Sequence, residues 1–300
     1  MMIASGLAKK LLVIAALLLL SQPVCAGSFK LGSISSSPVA ETRKFSSLAN
    51  YLAGQLKDEG IAQGKVVVVQ SIPAMASFLQ TGQVDLYIDS IFPSWAVSRI
   101  CGSKLLLRRW KMGKSDYRSV IFAQKDSAIA RLEDLKGKVI AFEEPYGSSG
   151  YFFPKVALLE KGLRLTLKRR EAEPVKANEV GYIFSHSDTK TMFLVMNGVV
   201  AAGATDDQKY LTMAKNRDSF RTLHETVSFP RHIVSHRADL PAKLATRVKK
   251  VLLNMHQNEE GRQILENFEN TAKFEEIPVR DISLMAGLKK YVDAELKLQR

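Results

Sequence analysis

Cysteine is nearly absent from this chain of 300 residues, which has only Cys25 and Cys101. Two cysteines cannot build a disulfide framework, so apolar burial must hold the fold. Cys101 reads as a small buried hydrophobe with no redox task. Histidine is also scarce, with five residues: His186, His224, His232, His236 and His256. The closest pair, His232 and His236, has no acidic residue at a matching spacing, and no metal site is expected. There is no Gly-x-Ser-x-Gly elbow, no phosphate loop ending in Lys-Ser/Thr and no Rossmann glycine pattern. Glu143 and Glu144 could serve as an acid/base pair, but neighbours on an extended chain point apart. They read as solvated or as packing between lobes. The expectation is therefore a non-enzyme with no cofactor. Low-complexity segments and long linkers are missing too, so domains should be intimate.

The N-terminus does carry a signal. Lys9 and Lys10 precede an apolar run from Leu11 to Leu20, followed by Gln22-Pro23-Val24-Cys25-Ala26. A basic start, a short apolar core and a small-residue end predict a secretory signal peptide over 1–26, cleaved after Ala26. The run is short for a membrane span, and nothing later could span one, so membrane contact is expected only through a partner. The formal charge is +13. That favours anionic partners. The basic residues are scattered and lack aromatic interleaving, which argues against nucleic acid.

Strand and helix patterns alternate along the rest. Phe29–Ile34 reads as a strand, and Phe45, Leu48, Leu52 and Leu56 recur at helical spacing. Residues 65–70, with four consecutive valines, predict a strand buried on both faces. A short helix follows to Gly82, then a strand over 84–88. The βαβαβ order implies a doubly wound, mainly parallel sheet. A strand near 118–124 leads to a second set: strand 138–142, helix 154–161, strand 165–171, helix 189–196 and strand 199–204. Phe78-Leu-Gln-Thr-Gly-Gln-Val-Asp echoes Leu194-Val-Met-Asn-Gly-Val-Val-Ala, which suggests two similar lobes. The Pro230 region should return to the first lobe, and amphipathic helices over 241–256, 259–267 and 282–298 should pack on it.

The stretch 141–163 carries the most chemistry. A strand ending at Phe142 meets Glu143-Glu144-Pro145, then Tyr146-Gly147-Ser148-Ser149-Gly150-Tyr151 and a helix ending at Gly162. A small-residue loop feeding a helix start aims free N–H groups and hydroxyls outward, which suits an oxyanion. The same residues would also make an ordinary helix cap. Pro154 fits near the first helical position, after a tight turn over 147–151.

Leu132-Glu-Asp-Leu-Lys-Gly-Lys, Gly147-Ser-Ser-Gly-Tyr-Phe-Phe-Pro, Gln83-Val-Asp-Leu-Tyr, Tyr117-Arg-Ser-Val-Ile and Phe229-Pro-Arg-His together resemble the periplasmic phosphate/phosphonate-binding proteins of ABC transporters. The resemblance implies a type II periplasmic binding fold of two α/β lobes joined by two crossing strands. The lobes are expected at 27–122 with 226–300, and at 123–225. It also implies that Gly147, Ser148, Ser149, Gly150 and Tyr151 hold an anion through neutral donors. Further ligand contacts implied by position are Ser71 after the second strand, Tyr87, Asp89 and Ser90 at the third, and Ser185 with His186 in the second lobe. Tyr87, Phe92 and Tyr151 could form an apolar wall. Relatives that bind aminophosphonates carry an Asp where this chain has Ala201, which would leave an amino group without its carboxylate. The expected role is a monomer that captures a small anionic ligand, phosphonate-, phosphite- or phosphate-like, for an ABC permease. The alternative is the same fold presenting ligand to a membrane sensor.

Overall fold

The computed structural model describes residues 27–213 and 219–298, so the expected signal segment 1–26 lies outside the described residues. β1 (Gly27–Ile34) leads to α1 (Pro38–Gln55), which buries Phe45, Leu48 and Leu52 as their spacing predicts. β2 (Ile61–Val69), α2 (Ile72–Gln80) and β3 (Leu86–Ser90) complete the βαβαβ unit, with β1 parallel to both strands. After α3 (Ile91–Cys101) and β4 (Lys104–Arg109), the chain leaves this sheet. It returns as β13 (His232–His236), inserted antiparallel between β3 and β4, and β14 (Phe274–Glu275) completes one edge. The order is β14-β4-β13-β3-β1-β2. The valine strand β2 is therefore an edge and only partly buried, not covered on both faces. β-branching gave the strand correctly, but its place in the sheet is a property of the whole fold.

The second sheet takes β6 (Ser119–Gln124), β7 (Val139–Phe142), β8 (Arg164–Leu167), β9 (Glu179–Phe184), β10 (Ala202–Asp206) and β11 (Phe220–Glu225), in the order β11-β6-β10-β7-β9-β8. β10, β7, β9 and β8 run parallel, while β6 and β11 pair antiparallel. The residue 122/123 division falls inside β6, which lies wholly in this sheet. Between the sheets the chain passes through β5 (Asp116–Tyr117) and β12 (Phe229–Pro230), which pair antiparallel.

Helices flank both layers: α4 (Phe153–Glu160), α5 (Asp188–Met196), α6 (Asp207–Met213), α7 (Ala242–Asn254) and α8 (Glu259–Asn267). The echo between the two sets is real in geometry. Gly82 and Gly198 end α2 and α5 with φ of 67° and 65°, a left-handed turn that glycine adopts without a Cβ clash. The expected single helix over 282–298 is instead α9 (Val279–Gly287) and α10 (Lys289–Leu298). Gly287, a poor helix residue, stands at the break. Cys101 is half-buried rather than buried.

One apolar cluster joins the two layers. Phe92 of α3 stacks on Phe152 at 4.2 Å, and Phe153 stacks on Phe229 at 3.6 Å. Behind it, Lys155 of α4 meets Glu295 of α10 at 2.5 Å, and Tyr151 donates to the same carboxylate at 2.6 Å. Arg99 of α3 pairs with Asp293 at 2.9 Å. The last helix thus straps helices of both lobes at the back.

Candidate functional site

The C-terminal ends of the parallel strands of both sheets face one cavity of about 390 Å³. Ligands of open α/β sheets bind at such strand ends. β1 brings Ser33 to Ser36, β3 brings Asp89 and Ser90, the end of β7 brings Glu143 and Glu144, and β10 brings Asp206. Gly147, Ser148 and Ser149 also line it, as do Tyr117 and Arg231 beside the crossing strands.

The turn before α4 is a π-type helical turn over Ser148–Phe152, wider than the tight turn expected, and Pro154 occupies the second position of α4. Phe152 N–H bonds to the Gly147 carbonyl at 3.0 Å. Ser148 to Tyr151 form the first turn of this helical segment, the place in a helix where backbone N–H groups are available as donors. The two serines part company. Ser148 is buried, accepts from Phe92 N–H at 2.9 Å and donates to Ser90 Oγ at 2.9 Å, so its hydroxyl joins the two lobes. Ser149 faces the cavity with Tyr117, whose burial pushes its phenol well above the ordinary range.

A second cross-lobe contact closes the front. Ser36 donates its hydroxyl to Glu144 at 2.9 Å and its N–H to the Tyr146 phenol at 3.1 Å. The other Glu144 oxygen meets His186 Nδ1 at 3.0 Å. His186 sits in the left-handed region at φ 63°.

The cavity is electrically two-sided. On the first-lobe side Glu269 gathers Lys111 at 3.0 Å, Arg109 at 3.1 Å and Lys44 at 3.2 Å. Burial opposes ionisation, but the three cations hold its carboxyl far below the usual range. Burial lowers Lys111 and, helped by those cations, lowers His232 well below its ordinary value. On the second-lobe side lie Glu143, Glu144 and Asp206, with Lys209 at 4.0 Å from Glu143 and paired with Asp188. Burial raises the Glu143 carboxyl, with Asp206 and Glu144 adding to the effect. Burial likewise lifts Asp89 to about 7, although it accepts from Ser90 N–H at 2.7 Å and from Tyr87 at 3.1 Å.

Arg231 stands between these halves. It is 3% exposed, and its guanidinium lies 4.7 Å from the Tyr117 ring centre. Nη2 reaches only Met112 Sδ at 3.6 Å, while Nε and Nη1 find no hydrogen-bond partner among the described residues.

Of the residues expected from the sequence, Asp89, Ser90, Gly147, Ser148, Ser149 and His186 line the cavity, and five do not. Gly150 is buried behind the turn, its carbonyl accepting from Glu143 N–H. Tyr151 turns to the back and Tyr87 lies in the core, bonded to Asp89. Ser71 caps α2 by accepting from Ala74 N–H. Ser185 is buried against Thr191 and the Phe142 carbonyl. Phe92 packs in the core and forms no wall. Ala201 immediately precedes β10, beside a different groove, so its identity does not govern the cavity; the carboxylate that β10 delivers is Asp206. Sequence reading missed Lys44, Lys111, Lys209, Asp206, Glu269 and Arg231. Only Arg231 and Tyr117 lay inside motifs already singled out.

Two α/β lobes closed over a polar cavity at their strand ends define a two-lobed solute-binding protein of the type II periplasmic kind. Its family follows from the match over residues 32–281: the chain belongs to the periplasmic substrate-binding proteins of phosphonate ABC transporters. Similar folds include XAC2383 from Xanthomonas citri bound to ATP, with a TM-score of 0.83 and 22% identity, covering 89% of this chain and 98% of that one. PhnD1 from Prochlorococcus marinus in complex with methylphosphonate aligns with a TM-score of 0.66 and 20% identity, covering 89% and 98%. A binding protein component of an ABC phosphonate transporter from Pseudomonas aeruginosa gives 0.67 and 16%, covering 90% and 88%.

Proposed function

We propose that this chain captures a small phosphorus oxyanion, a phosphonate, phosphite or phosphate, in the cavity and delivers it unchanged to an ABC permease. The observation that carries the reading is the helix start at 147–149, which, with the Ser149 hydroxyl, lines a cavity shared by two lobes. Methylphosphonate in PhnD1 and ATP in XAC2383 both present tetrahedral phosphorus oxygens, which supports the same headgroup here. Residues 1–26 serve as a signal peptide removed on export. The first lobe comprises 27–117 and 226–298, and the second 118–225, which keeps β6 whole. The chain acts as a monomer and meets the membrane only through its partner.

The acidic wall of Glu143, Glu144 and Asp206 favours ligands whose tail carries an amino group. Calorimetric titration of residues 27–300 with phosphate, phosphite, methylphosphonate, 2-aminoethylphosphonate and sulfate tests both points. Saturable 1:1 binding of a phosphorus oxyanion, weakened about tenfold in Ser149→Ala, is expected. Absence of binding to every one of them refutes the reading.

A further inference from the structure

We infer that Arg231 takes up the charge of the ligand headgroup, so that this site grips a phosphorus dianion through a buried cation and not through neutral donors alone. The inference rests on the oxyanion reading given above. It begins with how the chain treats its other buried arginines. Arg108 meets Glu275 at 2.5 Å and Asp281 at 3.0 Å. Arg109 reaches Glu269 at 3.1 Å, the Phe268 carbonyl at 2.7 Å and Thr271 at 2.9 Å. Arg231 lies between the two in burial, yet it has no carboxylate within ion-pair distance among the described residues, and two of its nitrogens stay unbonded.

Burying a charge without a partner is among the costliest arrangements in a protein. Three features show that the partner is meant to come from the cavity. Arg231 lines that cavity, and its backbone N–H is fixed to the Ser115 carbonyl at 2.8 Å on the strand pair joining the lobes. The nearby carboxylates are already engaged: Asp206 accepts from Lys209 N–H at 2.9 Å, and Glu144 serves Ser36 and His186. The neutral donors of the turn are thinner than its sequence suggests, since Gly147 has no hydroxyl and that of Ser148 is spent between the lobes. A planar guanidinium offers two parallel N–H groups to two oxygens of one tetrahedral anion, a geometry an ammonium cannot reproduce.

The test uses residues 27–300 as wild type, Arg231→Gln, Arg231→Lys and Arg231→Met. Methylphosphonate and inorganic phosphate are titrated by calorimetry, and each ligand-free protein is melted. Arg231→Gln should weaken binding about 100-fold, and Arg231→Lys, which keeps charge but loses the fork, about tenfold. Ligand-free Arg231→Met should melt higher than wild type, because an unpaired buried charge has gone. Binding within threefold of wild type in Arg231→Gln overturns the assignment while leaving the oxyanion reading in place. A lower ligand-free melting temperature in Arg231→Met overturns it too, since Arg231 would then be a structural group. A wild type that binds neither anion defeats the oxyanion reading and this inference together.

Discussion

Removing one cross-lobe hydroxyl at the front of the cleft should loosen closure while leaving the anion turn intact. Ser36 does not belong to the anion turn, but its Oγ–H donates to Glu144 at 2.9 Å and its N–H to Tyr146 at 3.1 Å, both across the lobes. Ser36→Ala deletes the first bond and leaves the second. A hydrogen bond to a carboxylate contributes about 1.5–3 kcal/mol net, and partial exposure places this one near the lower end. About 1.5 kcal/mol is roughly a tenfold change in an equilibrium constant. If closure follows binding, that factor falls on dissociation, because the Ser36–Glu144 bond forms only when the lobes meet. The expectation is therefore a tenfold faster release of methylphosphonate with an association rate within twofold of wild type. Stopped-flow dilution measures both rates, and small-angle scattering at saturating ligand should show a larger radius of gyration. Ser46→Ala, which removes an exposed hydroxyl bonded to the Thr42 carbonyl of its own helix, is the control. An unchanged release rate, or a loss carried by association, would show that the cross-lobe bond has no part in closure.

Two further outcomes follow from buried charge. Glu295→Gln strips Lys155 of a partner in an ion pair whose side chains are 6–7% exposed, and should cost about 3 kcal/mol in urea melts; a cost below about 1 kcal/mol would mean that the strap is dispensable. Asp89 is raised from 3.8 to about 7, chiefly by burial. The folded state holds its proton longer than the unfolded chain does, so this group's stabilisation is complete below pH 4 and is lost as pH rises towards 7. The loss is on the order of 2–4 kcal/mol, and Asp89→Asn should flatten that part of the stability profile. A profile identical to wild type would remove Asp89 as its source.

The alternation of strands and helices was legible because each element buries one periodic face, and local periodicity survives in the sequence. What periodicity cannot express is position within a sheet. The valines of β2 look the same whether the strand is central or an edge, and the return of β13 between β3 and β4 depends on a partner more than 100 residues away. The cavity was legible only where a loop announced it. Gly147, Ser148 and Ser149 were found from their own chemistry, whereas Lys44, Lys111, Asp206 and Glu269 are single charges on separate elements, gathered only by topology. Arg231 is one of 43 basic residues in the sequence. Burial without a partner is what distinguishes it, and no sequence pattern carries that information.

The wide turn explains why neighbouring residues of one loop serve three ends. A tight turn would leave Ser148, Ser149 and Tyr151 on similar faces, and the resemblance assigned all three to the ligand. A π-type turn adds a residue to the circuit and spreads its side chains around the axis, a feature found often at functional sites. Ser148 then points to the first lobe and meets Phe92 N–H and Ser90, Ser149 points into the cavity, and Tyr151 points backwards to Glu295 and Lys155. The loop that meets the ligand is thereby bonded to the opposite lobe in front and to the last helix behind. Moving the turn to receive an anion must disturb one of those bonds, so ligand recognition and lobe closure are coupled through adjacent residues and need no longer pathway.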